Sequence, residues 1–483
     1  MSTYTRLLAE LVLGENALPI TASARASARK LILDSIGCAI AGRNAPGIVE
    51  AREKILDWGG KPESTILLTR RRVPAPHAAF VNGSLIHAQD LDDIHIPASL
   101  HLMSVVFPAA LATAEQVGAS GRDLLDATIY GIEVAARIGN AETSRRRGQG
   151  FLPASLTGGF GAVAAASWLL KLSVDQCVQA MGINYAQTSG NRQALYDATL
   201  TKRMQPALAA RSGLWSTALA ARGVTGAHHA LEGAGGYFKV YLNGDVCAPE
   251  ELTVASDQFE IERMVLKRYP SCGASHPTQS AAEQVIADGL LKADEIRSIM
   301  IFGLSEGGMV TRPFVIGDDP QVAAQFSVRY AVALTLLRGP AKLHHFTDEA
   351  VLADHEVAEL AQRVTFGKRP EGLPEPQLSF PGYGRYYTDN WCGVVVETTD
   401  GRTRIGHELP AEHFAPGGPD LAFAQRKFRE CAAFDGQFPE EQVETLIRSI
   451  DELDTAESLQ PLLDMLADGT PRGSATRTSS DCR

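Results

Sequence analysis

Val105-Val-Phe-Pro-Ala-Ala-Leu-Ala-Thr-Ala114 is apolar at almost every position and rich in alanine. A strand with one face in the core alternates apolar and polar residues, and this run does not. Alanine-rich apolar sequence of this length reads as a helix buried on more than one side. It opens a series of such stretches, at roughly 105–118, 121–141, 158–171, 173–187 and 204–222. Several apolar-sided helices in succession predict an all-helical domain built in layers. Upstream, helices are expected at 4–13, 24–41, 47–59 and 76–85. Thr21 or Ser23 is placed to cap the second of these, and Gly42 to end it. Residues Phe151 to Leu170 carry no charge, yet they include Pro153 and three glycines, so a buried helix is expected rather than a membrane span.

The pattern changes near residue 260. Ile261–Tyr269 reads as a strand or helix end, and His276–Gly289 as a helix. Strand character appears from Ile296 to Leu304, at Arg363–Phe366 and from Gly393 to Arg404, with Asp400-Gly401 as a hairpin turn. Continuous helices are expected over Val322–Leu337 and Thr347–Arg363. The fold class expected is mainly α: a helical domain over 1–268, a smaller α+β lid over 269–410, and returning helices over 411–468 that complete the first domain. The Ser/Thr/Arg-rich tail, 469–483, is expected to be disordered.

A hydrophobic fraction of 45% with 21% charged residues suits a globular protein with a large core. The net charge of −11 argues against nucleic acid or an anionic membrane as partner. Seven scattered cysteines without a C-x-x-C pair suggest a reducing compartment, and the N-terminus lacks the apolar core of a signal peptide, so a cytoplasmic location is expected. No nucleotide-binding glycine motif is present, and Gly158-Gly159-Phe160-Gly161 reads as tight helix packing.

Chemistry concentrates in His87-Ala-Gln-Asp-Leu-Asp-Asp-Ile-His95-Ile-Pro-Ala-Ser-Leu-His101, which holds three of the 12 histidines beside Asp90, Asp92 and Asp93. Titratable groups against an apolar wall suit acid–base catalysis, because burial moves their pKa values. Metal ligation by Asp92, Asp93, His95 and His101, or a solvated loop, are the alternatives, although no metal-ligand spacing pattern is matched. Lys202 and Arg203 precede Pro206 and suit an anion cradle at a helix start; a solvated basic turn explains them as well. Lys267-Arg268-Tyr-Pro-Ser-Cys272-Gly-Ala-Ser-His276 offers anion binding more readily than a Cys272–His276 nucleophile. Arg329 and Tyr330 sit on a later helix that is equally an ordinary amphipathic one.

These segments, in this order, resemble the MmgE/PrpD family. The resemblance rests on Asn82-Gly-Ser-Leu-Ile-His-Ala-Gln-Asp-Leu-Asp-Asp93 with His101 and Pro108, on Thr201-Lys-Arg203 through Gly213, on Gly223-Val-Thr-Gly226 with Leu231-Glu-Gly233, and on Lys267–His276. It implies a helical domain and a lid with the active site between them, a homodimer, and no metal or organic cofactor. Its members include 2-methylcitrate dehydratases, cis-aconitate decarboxylases and iminodisuccinate epimerases. Carried over position by position, Asp90, Asp93, His101, Lys202, Lys267 and Tyr330 are the implied catalytic residues. One departure stands out: where the family carries Gly-Phe/Trp-His-Pro, this chain has Gly150-Phe151-Leu152-Pro153.

The expected chemistry is proton movement beside a carboxylate of a small di- or tricarboxylate. His101 would serve as acid or base, oriented by Asp93 or Asp90, while Lys202, Arg203, Lys267 and Arg268 would stabilise developing charge. His95 or Tyr330 would act on the other face, and His276 is a further binding candidate. One such site supports dehydration, decarboxylation or epimerisation; a carbon–oxygen lyase is preferred among them, because elimination needs one acid and one base and tolerates the leucine at 152. A non-catalytic binding homologue is the remaining alternative.

Overall fold

The computed structural model describes residues 3–15, 17–142, 150–242, 248–253, 258–373, 392–408 and 420–469. The tail beyond 469, for which disorder was expected, lies outside them. The chain forms a layered helical body and a smaller α+β unit, each with its own apolar core.

Caps and close approaches set the helical body. Thr21, rather than Ser23, accepts the Ala24 N–H and starts the helix Ala22–Ala41, which stops at Gly42. The helix Gly121–Glu142 crosses Pro153–Leu169 at a pair of glycines. A Cβ on Gly131 would stand 2.8 Å from the Gly161 carbonyl oxygen, and one on Gly161 would stand 2.5 Å from that of Gly131. No side chain fits there, so the glycine-rich stretch is a packing feature. Met103–Val117, the helix grown from the opening stretch, packs between Ala75–His87 and Pro153–Leu169 with nearly every residue buried. No helix among the described residues is long and apolar enough to cross a membrane.

In the smaller unit, four strands run in the order Val364–Gly367, Ile296–Phe302, Cys392–Thr398, Thr403–Glu408. The first pair is parallel and the others antiparallel, with Asp400-Gly401 turning the hairpin. The helix His276–Val285 covers one face and packs on Val328–Arg338. Two expected helices are broken. Val322–Leu337 divides into Pro320–Gln325 and Val328–Arg338, because Ser327 is extended and its hydroxyl caps the Tyr330 N–H at 3.2 Å. Thr347–Arg363 divides into Asp348–Ala353 and His355–Gln362, where Asp354 caps Val357 at 3.2 Å. In both, a side-chain cap outcompetes continuation of the helix.

The last helices, Leu421–Asp435, Glu440–Asp451 and Gln460–Asp468, lie in the core of the helical body. Leu421–Asp435 packs on Ala22–Ala41 and carries Lys427 inward. The Lys427 ammonium meets Asp34 at 2.6 Å and the Leu91 carbonyl at 2.7 Å, all buried. Removing one partner of a buried pair leaves an uncompensated charge. Lys427→Met should therefore cost about 3–5 kcal/mol of unfolding free energy by chemical denaturation. The double variant Asp34→Leu/Lys427→Met should recover most of it, and equal losses in single and double variants would contradict the account.

Candidate active site

The segment from Ala88 to Leu102 is a tight, buried loop. His95 and Leu100 exchange backbone hydrogen bonds at 2.7 and 3.2 Å. Ile94–His95 pairs antiparallel with Met264–Val265, which fixes the chain just before Lys267. The Asp93 carboxylate accepts the N–H groups of Leu102 at 3.2 Å and Met103 at 3.3 Å, at the start of the helix Met103–Val117. Asp90 is held in the left-handed region, φ 49°. Such a backbone costs on the order of 1–3 kcal/mol and persists only where its surroundings over-determine it.

Two lysines supply that determination. Lys202 donates to Asp90 Oδ1, and Lys267 donates to Asp90 Oδ2 at 2.9 Å and to its carbonyl at 2.8 Å. Burial opposes ionisation of Asp90, but the two ammonium groups hold its carboxyl well below the usual range. Gln325 donates to the Gln89 carbonyl at 2.8 Å and Gln321 to the Gln89 side chain at 2.8 Å, tying the smaller unit to this loop.

His101 lies beside this clamp. Its Nδ1 is 2.6 Å from the Asp93 carbonyl oxygen. A carbonyl only accepts, so the proton sits on Nδ1 and the Nε2 lone pair is left open. Burial, and then the Lys267 charge, push the imidazole down to about 3. The ring of His87 lies 5.3 Å away, and His87 is itself bonded to Asp92 at 2.8 Å. His101 is thus a neutral imidazole held in the tautomer of a proton acceptor.

Asp90, His101 and Lys202 line one cavity of about 480 Å³ between the two units. Leu152, Leu195, Cys272 and Phe326 are also in its wall, with the glycine-rich turn from Gly303 to Thr311 closing one side. Lys267 and Asp93 stand behind it and act through Asp90 and His101. The other expected residues are elsewhere. His95 is buried against Glu260 at 2.8 Å. Arg203 bonds the Pro46 carbonyl at 3.0 Å and Gln321 at 3.0 Å. Arg268 pairs with Glu283 at 2.5 Å, on the surface. His276 is buried, its Nε2 3.2 Å from the Ser271 carbonyl, and its ring meets that of Tyr269 edge to face. Tyr330 packs between Phe314 and Phe346 in the core of the smaller unit. These five are not brought to the cavity, because each is engaged by its own structural neighbours. Cys272 lines the cavity but is not bonded to His276, and burial pushes its thiol up. Among the described residues, no three His, Cys, Asp or Glu side chains converge as metal ligands. Sequence reasoning passed over Arg192 and Leu195 in the wall; Arg192 sits in the polar turn Ser189-Gly-Asn-Arg192, where the signal is an unassigned cation.

Residues 6–250 match the MmgE/PrpD N-terminal domain and residues 269–455 the MmgE/PrpD C-terminal domain. The chain belongs to the MmgE/PrpD family. Its similarity extends along most of its length to cis-aconitate decarboxylase-like protein oryM of Aspergillus oryzae, 28% identical over 91% of this chain and 92% of the relative. The cis-aconitate decarboxylase of Mus musculus is 26% identical over 99% of this chain and 96% of its own, and that of Aspergillus terreus 27% over 91% of each. The family's two-part architecture, mainly α with a smaller α+β unit, is the one described above.

The depressed His101 pKa has a measurable sign. Between the ordinary value of 6.5 and about 3, the unfolded chain binds a proton at this imidazole that the folded chain does not. This contribution to stability is present above the ordinary value and is lost as pH falls through that window. In the free protein, the His101 Cε1–H resonance should stay flat from about pH 8 to about pH 5, whereas an unperturbed histidine would titrate within that range. A midpoint near 6.5 would overturn the assignment.

Proposed function

We propose that this chain is a lyase that moves a proton at the carbon beside a carboxylate of a small di- or tricarboxylate. The observation that carries the reading is the neutral His101, with Nε2 open, in a cavity it shares with the Lys202 ammonium and the Asp90 clamp. Abstraction beside a carboxylate leaves charge on the carboxylate oxygens, and a fixed cation in a water-poor cavity stabilises that charge. Lys202 is so placed.

Decarboxylation is the leading outcome, supported by relatives named cis-aconitate decarboxylase. One carbon–carbon bond breaks, carbon dioxide leaves, and the electron pair ends in a new C–H bond with a proton from a cavity donor. The Lys202 ammonium is the donor at hand: burial lowers its pKa, which eases release of the proton, while the Asp90 charge opposes that shift. Decarboxylation needs no second imidazole, so leucine at 152 is compatible with it. Dehydration is the second reading, favoured by the open lone pair of His101: Nε2 takes the proton and a β-hydroxyl leaves as water with a proton from an acid.

Proton NMR in heavy water with citrate, 2-methylcitrate, cis-aconitate and iminodisuccinate separates these outcomes. Loss of carbon dioxide from cis-aconitate with a deuterated vinyl product supports decarboxylation, and a new vinyl signal from a citrate supports dehydration. Deuterium entering iminodisuccinate without net turnover would replace the lyase by an epimerase, and silence across the panel would sink the proposal. His101→Ala should lower dehydration by about 10²–10⁴-fold, the usual contribution of a positioned base, with an unchanged circular dichroism spectrum, whereas decarboxylation with Lys202 as proton donor should fall less.

A further inference from the structure

The anion-binding cations expected from the sequence are mostly spent. Lys202 and Lys267 face Asp90, Arg203 is bound to Pro46 and Gln321, and Arg268 to Glu283. A substrate with two or three carboxylates nevertheless needs more than one cation in its cavity, because an unpaired carboxylate out of water is costly.

Arg192 and Lys202 are the arginine and the lysine that line the cavity among the described residues. The Arg192 guanidinium has neither an ion pair nor a hydrogen bond among the described residues. Its backbone, in contrast, is tightly held. Arg192 donates its N–H to the Gly150 carbonyl at 2.7 Å, Asn191 bridges Phe151, and Leu152 donates to the Gly190 carbonyl at 3.3 Å. Gln205 then grips Asn191 from both sides, accepting its N–H at 2.8 Å and donating to its carbonyl at 2.9 Å. Gln205 lies three residues after Lys202, at the start of the helix that follows the turn carrying the lysine into the clamp. The two cations are therefore built on one backbone assembly, with Leu152 directly after the Phe151–Asn191 bridge beside Arg192. A rigidly mounted residue with an unengaged fork of donors is what bidentate carboxylate recognition requires.

We propose that Arg192 binds the substrate carboxylate remote from the reacting carbon, and so restricts the site to substrates with at least two separated carboxylates. This rests on the lyase reading above only in the identity of the reacting end. Arg192 supplies, from the neighbouring segment, a carboxylate donor that Leu152 cannot.

The test uses tricarballylate, a saturated tricarboxylate with neither hydroxyl nor double bond to react, in isothermal titration with the full chain. Arg192→Gln should weaken binding at least tenfold and Arg192→Lys should recover part of the loss, with circular dichroism and thermal midpoint unchanged because the side chain is half-exposed. With whichever panel substrate turns over, Arg192→Gln should raise KM far more than it lowers kcat. Equal binding by wild type and Arg192→Gln would overturn the proposal, as would absence of binding by wild type. Arginine-dependent binding with no turnover of any panel compound would support Arg192 while sinking the lyase reading. Turnover with arginine-independent binding would do the reverse.

Discussion

Everything at the cavity depends on one carboxylate held between two ammonium groups. Asp90 sits in a left-handed backbone conformation that its own preference does not supply, and Lys202 and Lys267 hold it there from two separate segments. A buried ion pair is weak as a source of stability, since desolvation offsets most of its attraction. Its value here is positional and electrostatic. Around His101, burial and the Lys267 charge oppose protonation and outweigh Asp92 and Asp90, which favour it, while the Asp90 charge offsets part of the burial that lowers the Lys202 pKa. The clamp fixes the shape of the loop and the protonation of its neighbours together.

The helical body serves this arrangement by making the loop's surroundings unyielding. The glycine crossing of Gly121–Glu142 and Pro153–Leu169 brings two helices too close for a side chain to intervene. Asp93 links the loop to the helix behind it in two ways, accepting helix N–H groups with its carboxylate and orienting His101 with its carbonyl. Lys427 reaches in from a helix late in the chain and holds the Leu91 carbonyl, one residue from Asp90. A polar loop buried this deeply is ordered because its backbone groups find partners on packed helices.

Helix positions were legible because their signals are local: Thr21 and Gly42 act within a few residues of the helix they bound. The breaks at Ser327 and Asp354 were missed because apolar periodicity continues across them while a single side chain decides the backbone. The site was legible in part for a similar reason. Asp90, His101 and Lys202 stand in compact motifs and meet at the cavity. His95, His276 and Tyr330 have the same chemical character, but residue type does not reveal whether a buried imidazole meets a substrate or a glutamate. His95 meets Glu260, a partner 165 residues away. The Lys427–Asp34 contact is still more distant in sequence and left no trace in any local pattern.

Leucine at 152 then acquires a physical meaning. A histidine at this wall position would offer a hydrogen bond or charge to a bound carboxylate, whereas Leu152, with Leu195 and Phe326 also in the wall, offers neither. A carboxylate pressed against the Leu152 side chain itself loses hydration without compensation, while one that meets Lys202 or Arg192 is paired with a cation. The wall is therefore uneven, and it favours a substrate state in which charge has moved off the leucine. Carbon dioxide is neutral, so a carboxylate that leaves as carbon dioxide sheds the charge that the leucine wall penalises. A β-hydroxyl leaving as water gains nothing comparable from an apolar wall, since it carries no charge to shed. The decarboxylation proposed above fits this wall when the scissile carboxylate faces Leu152 and the retained ones face Lys202 and Arg192.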